Sequence, residues 1–200
     1  MDSTGTMTGQ AEGTARRPAD TLLQAAMRGR WNIRCRDKHG VIKWEDTLGP
    51  LATCPADEPY SGNIVVNAGL NYLLDAGLSA GSAITTWYLG LLSATPTVAA
   101  GDTMASHAGW TEITAYDEAN RVTWVDGGVA SQTVSNTASP ADFTISTNGT
   151  NIGGAFLTSN NTKGGTTGTL YAAGAFTAGD KSLDDNDSIE VTFTATAAAA

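Results

Sequence analysis

The residue types able to do chemistry are few and scattered. The chain has two histidines, His39 and His107. His39 falls in a turn between two apolar segments, and His107 follows Ser106 close to Asp102. Serine, histidine and aspartate are the parts of a nucleophile, a general base and its orienting carboxylate. A triad, however, is assembled in space from separate segments, each side chain in its own role. Three such residues in one short stretch point to a capped turn, with Asp102 accepting backbone N–H bonds and His107 at the surface. The run Asp184-Asp185-Asn186-Asp187 offers oxygens to a cation, but a calcium loop also needs spaced ligands and a distal glutamate. Between two β segments it reads as a polar turn. No Cys or His pair has zinc spacing. Gly164-Gly165-Thr166-Thr167-Gly168 lacks the lysine and following helix of a phosphate cradle and reads as a mobile hairpin loop. No catalytic, cofactor or metal site is expected, and the chain reads as a non-enzyme.

Five tryptophans remain: Trp31, Trp44, Trp87, Trp110 and Trp124. They fall mostly on alternating strand positions, which suits core packing. The alternative is a face that binds carbohydrate or protein. Trp110, in a loop after Ala108-Gly109, is the one expected to anchor a partner.

The elements that would position these groups are made of small residues. Of 200 residues, 31 are Ala, 29 Thr, 23 Gly and 13 Ser, while Leu, Ile, Val and Phe sum to 35. That is a thin core, expected to gain stability from neighbouring molecules. No run of about 18 apolar residues exists, so no membrane helix is expected. A pI near 4.5 argues against an independent nucleic-acid binder. The N-terminus has no basic start followed by an apolar stretch, and Arg16-Arg17 has no apolar segment after it, so neither a secretory nor a twin-arginine signal is expected. Cys35 and Cys54 could bridge, but free thiols in a reducing compartment suit their different settings better.

Charge is uneven. Residues 1–43 carry eight cations against four anions, whereas residues 44–200 carry three against sixteen. This is a basic arm on an acidic body. It suits electrostatic docking on an acidic partner, a neighbouring copy included; the plain alternative is a solvated charge run. Residues 1–30 form the arm. Within it, Pro18 to Gly29 reads as a short helix with Leu22, Leu23, Ala26 and Met27 on one stripe and Arg28 at the negative end of the helix dipole. Arg16, Arg17, Leu22, Leu23, Met27, Arg28 and Arg30, with Trp110, are the candidate partner-binding residues.

Residues 31–37 alternate apolar and polar, and 41–44 return after the turn at Asp37-Lys38-His39-Gly40, giving a hairpin. An irregular Pro-rich loop spans 47–62. A second helix is expected from a cap at Asn67 to Gly77, with a stripe of Leu70, Leu73 and Leu74. Strands are expected at 85–92, 121–125, 131–135, 142–147, 152–158, 169–176 and 188–196, separated by Gly, Asn and Asp turns. Ala and Gly inside 152–158 and 169–176 suggest close approach of backbones or of a neighbouring subunit. The fold class is all-β: a sandwich of jelly-roll or Greek-key type with about nine strands, two short helices and an extended arm. The sandwich occupies 31–196, and 197–200 is an alanine tail.

Residues 85–124 (TTWYLGLLSATPTVAAGDTMASHAGWTEITAYDEANRVTW), 152–194 and the preceding NIVVNAGLNYLLDAGL at 63–78 resemble a family of small structural proteins of tailed bacteriophages. GWTEITAYDEANR (109–121) is the most specific stretch, and the resemblance covers roughly 31–196. It implies a virion component without catalytic residues, similar to capsid-decorating or tail-associated proteins. The expectation is a cement protein on the outer capsid surface, made in the bacterial cytoplasm. It would bind the major capsid protein and neighbouring copies of itself, as a homodimer or homotrimer, with no direct contact to nucleic acid or membrane. The alternative is a tail or neck component, a fibre-associated adhesin that contacts the host through the 159–168 loop and exposed aromatics.

Overall fold

Every second residue from Trp31 to Cys35 is apolar, so a strand there must lay one face on a core and turn the other outward. The computed structural model describes residues 26–48 and 63–198. It forms β1 at Ala26–Arg36, β2 at Ile42–Leu48, β3 at Asn63–Val65 and α1 at Asn67–Leu78. Then follow β4 at Trp87–Ser93, β5 at Glu112–Ile113, β6 at Val122–Trp124, β7 at Thr133–Ser135 and β8 at Ala141–Thr144. The chain closes with β9 at Thr150–Thr158, β10 at Leu170–Ala175, β11 at Lys181–Leu183 and β12 at Ser188–Ala198. Among the described residues the protein is all-β apart from α1, with two antiparallel sheets.

Sheet I runs β2-β1-β12-β7, with β8 also paired to β12. Its spine is the antiparallel pair of β1 and β12, from Ala26 opposite Ala198 to Arg36 opposite Ser188. Sheet II runs β3-β10-β9-β4-β5, with β11 on β9 and β6 on β4. The sheets share one core. Trp31, Ile33 and Cys35 of β1, and Ile189, Val191 and Phe193 of β12, meet Leu89, Leu91, Ala155, Leu157 and Ala172 of sheet II. Trp31 and Phe193 pack with ring centroids 4.4 Å apart. The Trp31 indole N–H donates to Asn63 Oδ1 at 2.9 Å, and the Asn63 amide donates in turn to the Gly29 carbonyl.

The second face of sheet II is also buried. Leu92, Phe156, Leu170 and Ala173 pack under Val66, Met104 and Trp110. Burial on both faces explains why WYLGLL, IGGAFLT and LYAAGA read as continuous apolar runs rather than alternating ones. It also explains their glycines. A Cβ on Gly154 would overlap the Gly174 carbonyl, and one on Gly174 would lie 2.8 Å from the Trp31 indole nitrogen. The close approach expected at these small residues takes place inside the chain.

Several expectations are corrected. Residues 26–29, placed at the end of the first helix, are strand, because they pair with Thr196, Ala197 and their neighbours on β12. The rest of that segment, with Arg16, Arg17, Leu22 and Leu23, lies outside the described residues, as do Cys54 and most of the 47–62 loop. Asn67 is not the cap of α1. Val66 holds that place with no side-chain cap bond, and the helix runs through Gly77 to Leu78. Of its leucine stripe, Leu70 and Leu74 are exposed while Leu73 packs against the core, and α1 also meets the sheet at Gly69, against the Tyr171 backbone. The short strands β3, β5 and β11 were not foreseen, being two or three residues long.

Candidate functional site

The segment between β4 and β6 holds the residues that could have formed a triad, and the structure assembles them into a brace. Asp102 Oδ2 accepts the Ala99 N–H at 3.0 Å and the Trp110 indole N–H at 2.9 Å. His107 stacks on Trp110 with centroids 3.7 Å apart and a 14° angle between rings. The Ser106 backbone N–H donates to Thr103 Oγ1 at 3.0 Å, and His107 Nδ1 lies 3.0 Å from the Trp110 carbonyl oxygen. Trp110 is buried at 4 % exposure against Phe156. It anchors its own loop onto sheet II, and its indole faces the core rather than a partner.

Below it lies a buried ion pair. Arg121, with a fully buried side chain, donates to both Glu112 carboxylate oxygens, Nε at 2.9 Å and Nη2 at 2.7 Å. The same guanidinium donates to the carbonyls of Asn160 and Gly165. Glu112 also accepts the Gly164 N–H at 2.8 Å. Lys163 reaches across to the carbonyls of Tyr116 and Glu118 and lies over the Tyr116 ring. The loop at 159–168, whose Gly164–Gly168 stretch was expected to be mobile, is therefore tied down by a bidentate pair whose guanidinium also reaches two loop carbonyls. A buried charge pair is tolerable only with such completeness. Glu118 caps the Thr144 N–H with both oxygens, and Tyr116 packs edge-on against Phe143. Burial pushes the Tyr116 hydroxyl well above the usual phenol range. The segment 109–121 thus works as a lock between sheet II and its loop.

The acidic run is a turn, as expected. Asp187 accepts the Asp184 N–H at 2.8 Å and the Lys43 ammonium at 2.7 Å, and Lys43 also reaches Asp184. Those two carboxylates hold the Lys43 ammonium above its ordinary range. Among the described residues no group of three His, Cys, Asp or Glu could hold a metal ion, and no helix is long and apolar enough to cross a membrane. Cys35 is a free, buried thiol, pushed up to about 12 by that burial.

The outer face of sheet I carries a row of basic side chains. The alternation that turns Trp31, Ile33 and Cys35 inward turns Arg28, Arg30, Asn32, Arg34 and Arg36 outward. This row has two ends. Near the hairpin, Arg34 pairs with Glu45 at 2.5 Å and Glu190 at 3.1 Å, and Arg36 with Glu190 at 3.2 Å. Around them a groove of about 350 Å³ lies open between β2, β12 and the Thr137–Pro140 turn. At the other end, Arg28 and Arg30 stand opposite Thr196 and Thr194, which stand opposite Thr133 and Ser135 of β7. Among the described residues no acidic side chain pairs with either arginine, and among the same residues the buried Arg28 Nε meets no acceptor. Guanidinium donors amid hydroxyls, without a carboxylate, form a patch that favours anionic oxygens.

Of the sequence-predicted partner residues, the structure brings Met27, Arg28 and Arg30 together on one strand end, with Met27 turned toward the core side. Trp110 belongs to the other sheet. Arg34, Arg36 and the hydroxyl row of β12 and β7 were missed, although the period-two pattern of 31–37 already placed Asn32, Arg34 and Arg36 on one face. The chain matches no family model, no curated protein and no solved structure.

Proposed function

We propose that the chain is a structural protein of a tailed-phage particle. In this reading it decorates the outer head surface and bridges neighbouring shell subunits, a mechanical role and not a catalytic one. The observation that carries the reading is the Arg28–Arg30 end of sheet I, a cationic strand end on an acidic body with no acidic partner among the described residues. The basic residues Arg16 and Arg17 lie just upstream of it in the chain. Such a patch suits an acidic surface repeated on a lattice, and long-range attraction would speed its capture. The resemblance of 85–124 and 152–194 to phage structural proteins supports the same reading. Those stretches supply β4, β9, β10, most of β12 and the Glu112–Arg121 lock.

In this reading the sandwich is of jelly-roll or Greek-key type; the passages between sheets after β2, β6, β8 and β11 support it. Copies would associate as a closed dimer or trimer, which would present several arms to adjacent shell subunits. Copy number per particle, by quantitative mass spectrometry against the major shell protein, tests the reading. A number comparable to that of the shell protein is expected. A handful of copies would move the chain to the neck or tail, and absence from particles would overturn the proposal.

A further inference from the structure

At the end of the sandwich where β1 begins, the two sheets part. Tyr72, Leu73, Trp87, Trp124, Val134 and Tyr171, with Phe193 and Ala195 beneath, line a half-open cavity of about 190 Å³. The lining is almost wholly apolar and aromatic. Tyr72 packs edge-on against Trp87, and Trp87 against Tyr171, which fixes the walls. Beside it the apolar surface continues outward: Leu74 is 59 % exposed and Val125 is 51 % exposed. An apolar cavity of roughly 150 Å³ takes up a benzene-sized guest, so this one has room for a leucine side chain.

We propose that the cavity seats the arm of the same chain through Leu22 and Leu23. The described chain starts at Ala26, opposite Ala198, which is three residues along β12 from the cavity wall at Ala195. Three residues of strand span about 10 Å, and the four residues 22–25, fully extended, reach roughly 13 Å. The arm leaves the fold beside the cavity with two adjacent leucines within that reach. Met27 and Ala197 stand opposite each other between Ala26 and the cavity and continue its apolar wall toward the arm. Docking there would hold Arg16 and Arg17 at the same end of the molecule as Arg28 and Arg30.

The inference does not depend on the particle-decorating role, and its test uses the isolated full-length chain. Hydrogen exchange is compared between the parent, Leu22→Asp/Leu23→Asp and the conservative Leu22→Ile/Leu23→Ile. In the aspartate variant the amides around Leu73 and Val134 are expected to exchange about tenfold faster, as loss of one buried leucine predicts, while those of β9 stay unchanged. The isoleucine variant keeps the parent pattern. Val134→Trp, which fills the cavity from within, is expected to raise exchange at residues 22–25. Unchanged exchange around Leu73 and Val134 in the aspartate variant would overturn the proposal. So would protection in the parent that grows with protein concentration, since that would mean the cavity takes the arm of a second copy.

Discussion

Among the described residues, sheet II is enclosed on both faces, whereas sheet I is enclosed on one. Sheet II lies between the shared core and a cover of Val66, Met104 and Trp110, and its loop is tied by Arg121. Every charge in that lock meets an opposite charge or a carbonyl. Sheet I presents arginines, threonines and carboxylates on its outer face, compensated near the hairpin and, among the described residues, uncompensated at Arg28 and Arg30. The two regions differ accordingly: one is secured by the buried Glu112–Arg121 pair, and the other leaves Arg28 and Arg30 without an acidic partner among the described residues.

The comparison can be broken most forcefully at the lock. Arg121→Ala leaves Glu112 buried and unpaired and frees two carbonyls, so it should cost about 3–5 kcal/mol of unfolding free energy. Urea titration reads this; a loss below about 1 kcal/mol would show that the pair is idle. Gly154→Ala forces the Gly174 backbone away inside sheet II and should cost about 1–3 kcal/mol, measured the same way.

The outer face of sheet I should respond gently. Asp142 lies opposite Glu190, and partial burial, then the carboxylates of Glu190 and Glu118, hold its carboxyl above the ordinary range. Folding therefore favours its protonated form. Stability from that proton is full below the unfolded value near 4 and is lost as pH rises past it. Asp142→Asn should raise the thermal midpoint slightly at pH 7 and leave it unchanged at pH 3. A larger gain at pH 3 would reverse the sign and refute the assignment.

Much of this division is legible in the sequence. Period-two alternation in 31–36 shows which residues face out, and continuous apolar runs with small residues show that β9 and β10 are covered twice. The first helix was misread over 26–29 because AAMRG has good local helix propensity, while what decides its state is pairing with β12, some 170 residues away. The lock was invisible for a similar reason. Glu112 and Arg121 are separated by an irregular segment, and nothing local shows that both turn inward to hold a loop near residue 165. Trp110, expected to anchor a partner, is instead buried against Asp102 and Phe156. Burial of a loop tryptophan depends on what packs above it, which composition does not reveal.

The central claim is that the uncompensated arginine end of sheet I is the docking surface. Co-sedimentation of the full chain with purified shells, comparing the parent with Arg28→Glu/Arg30→Glu, tests it most directly. Both side chains leave the outer face of β1, and neither takes part in an ion pair among the described residues. Circular dichroism and the urea midpoint confirm that the variant is folded. The account predicts that the charge-reversed chain stays in the supernatant and that parental binding weakens as salt rises. Undiminished, salt-insensitive binding by the folded variant would contradict it.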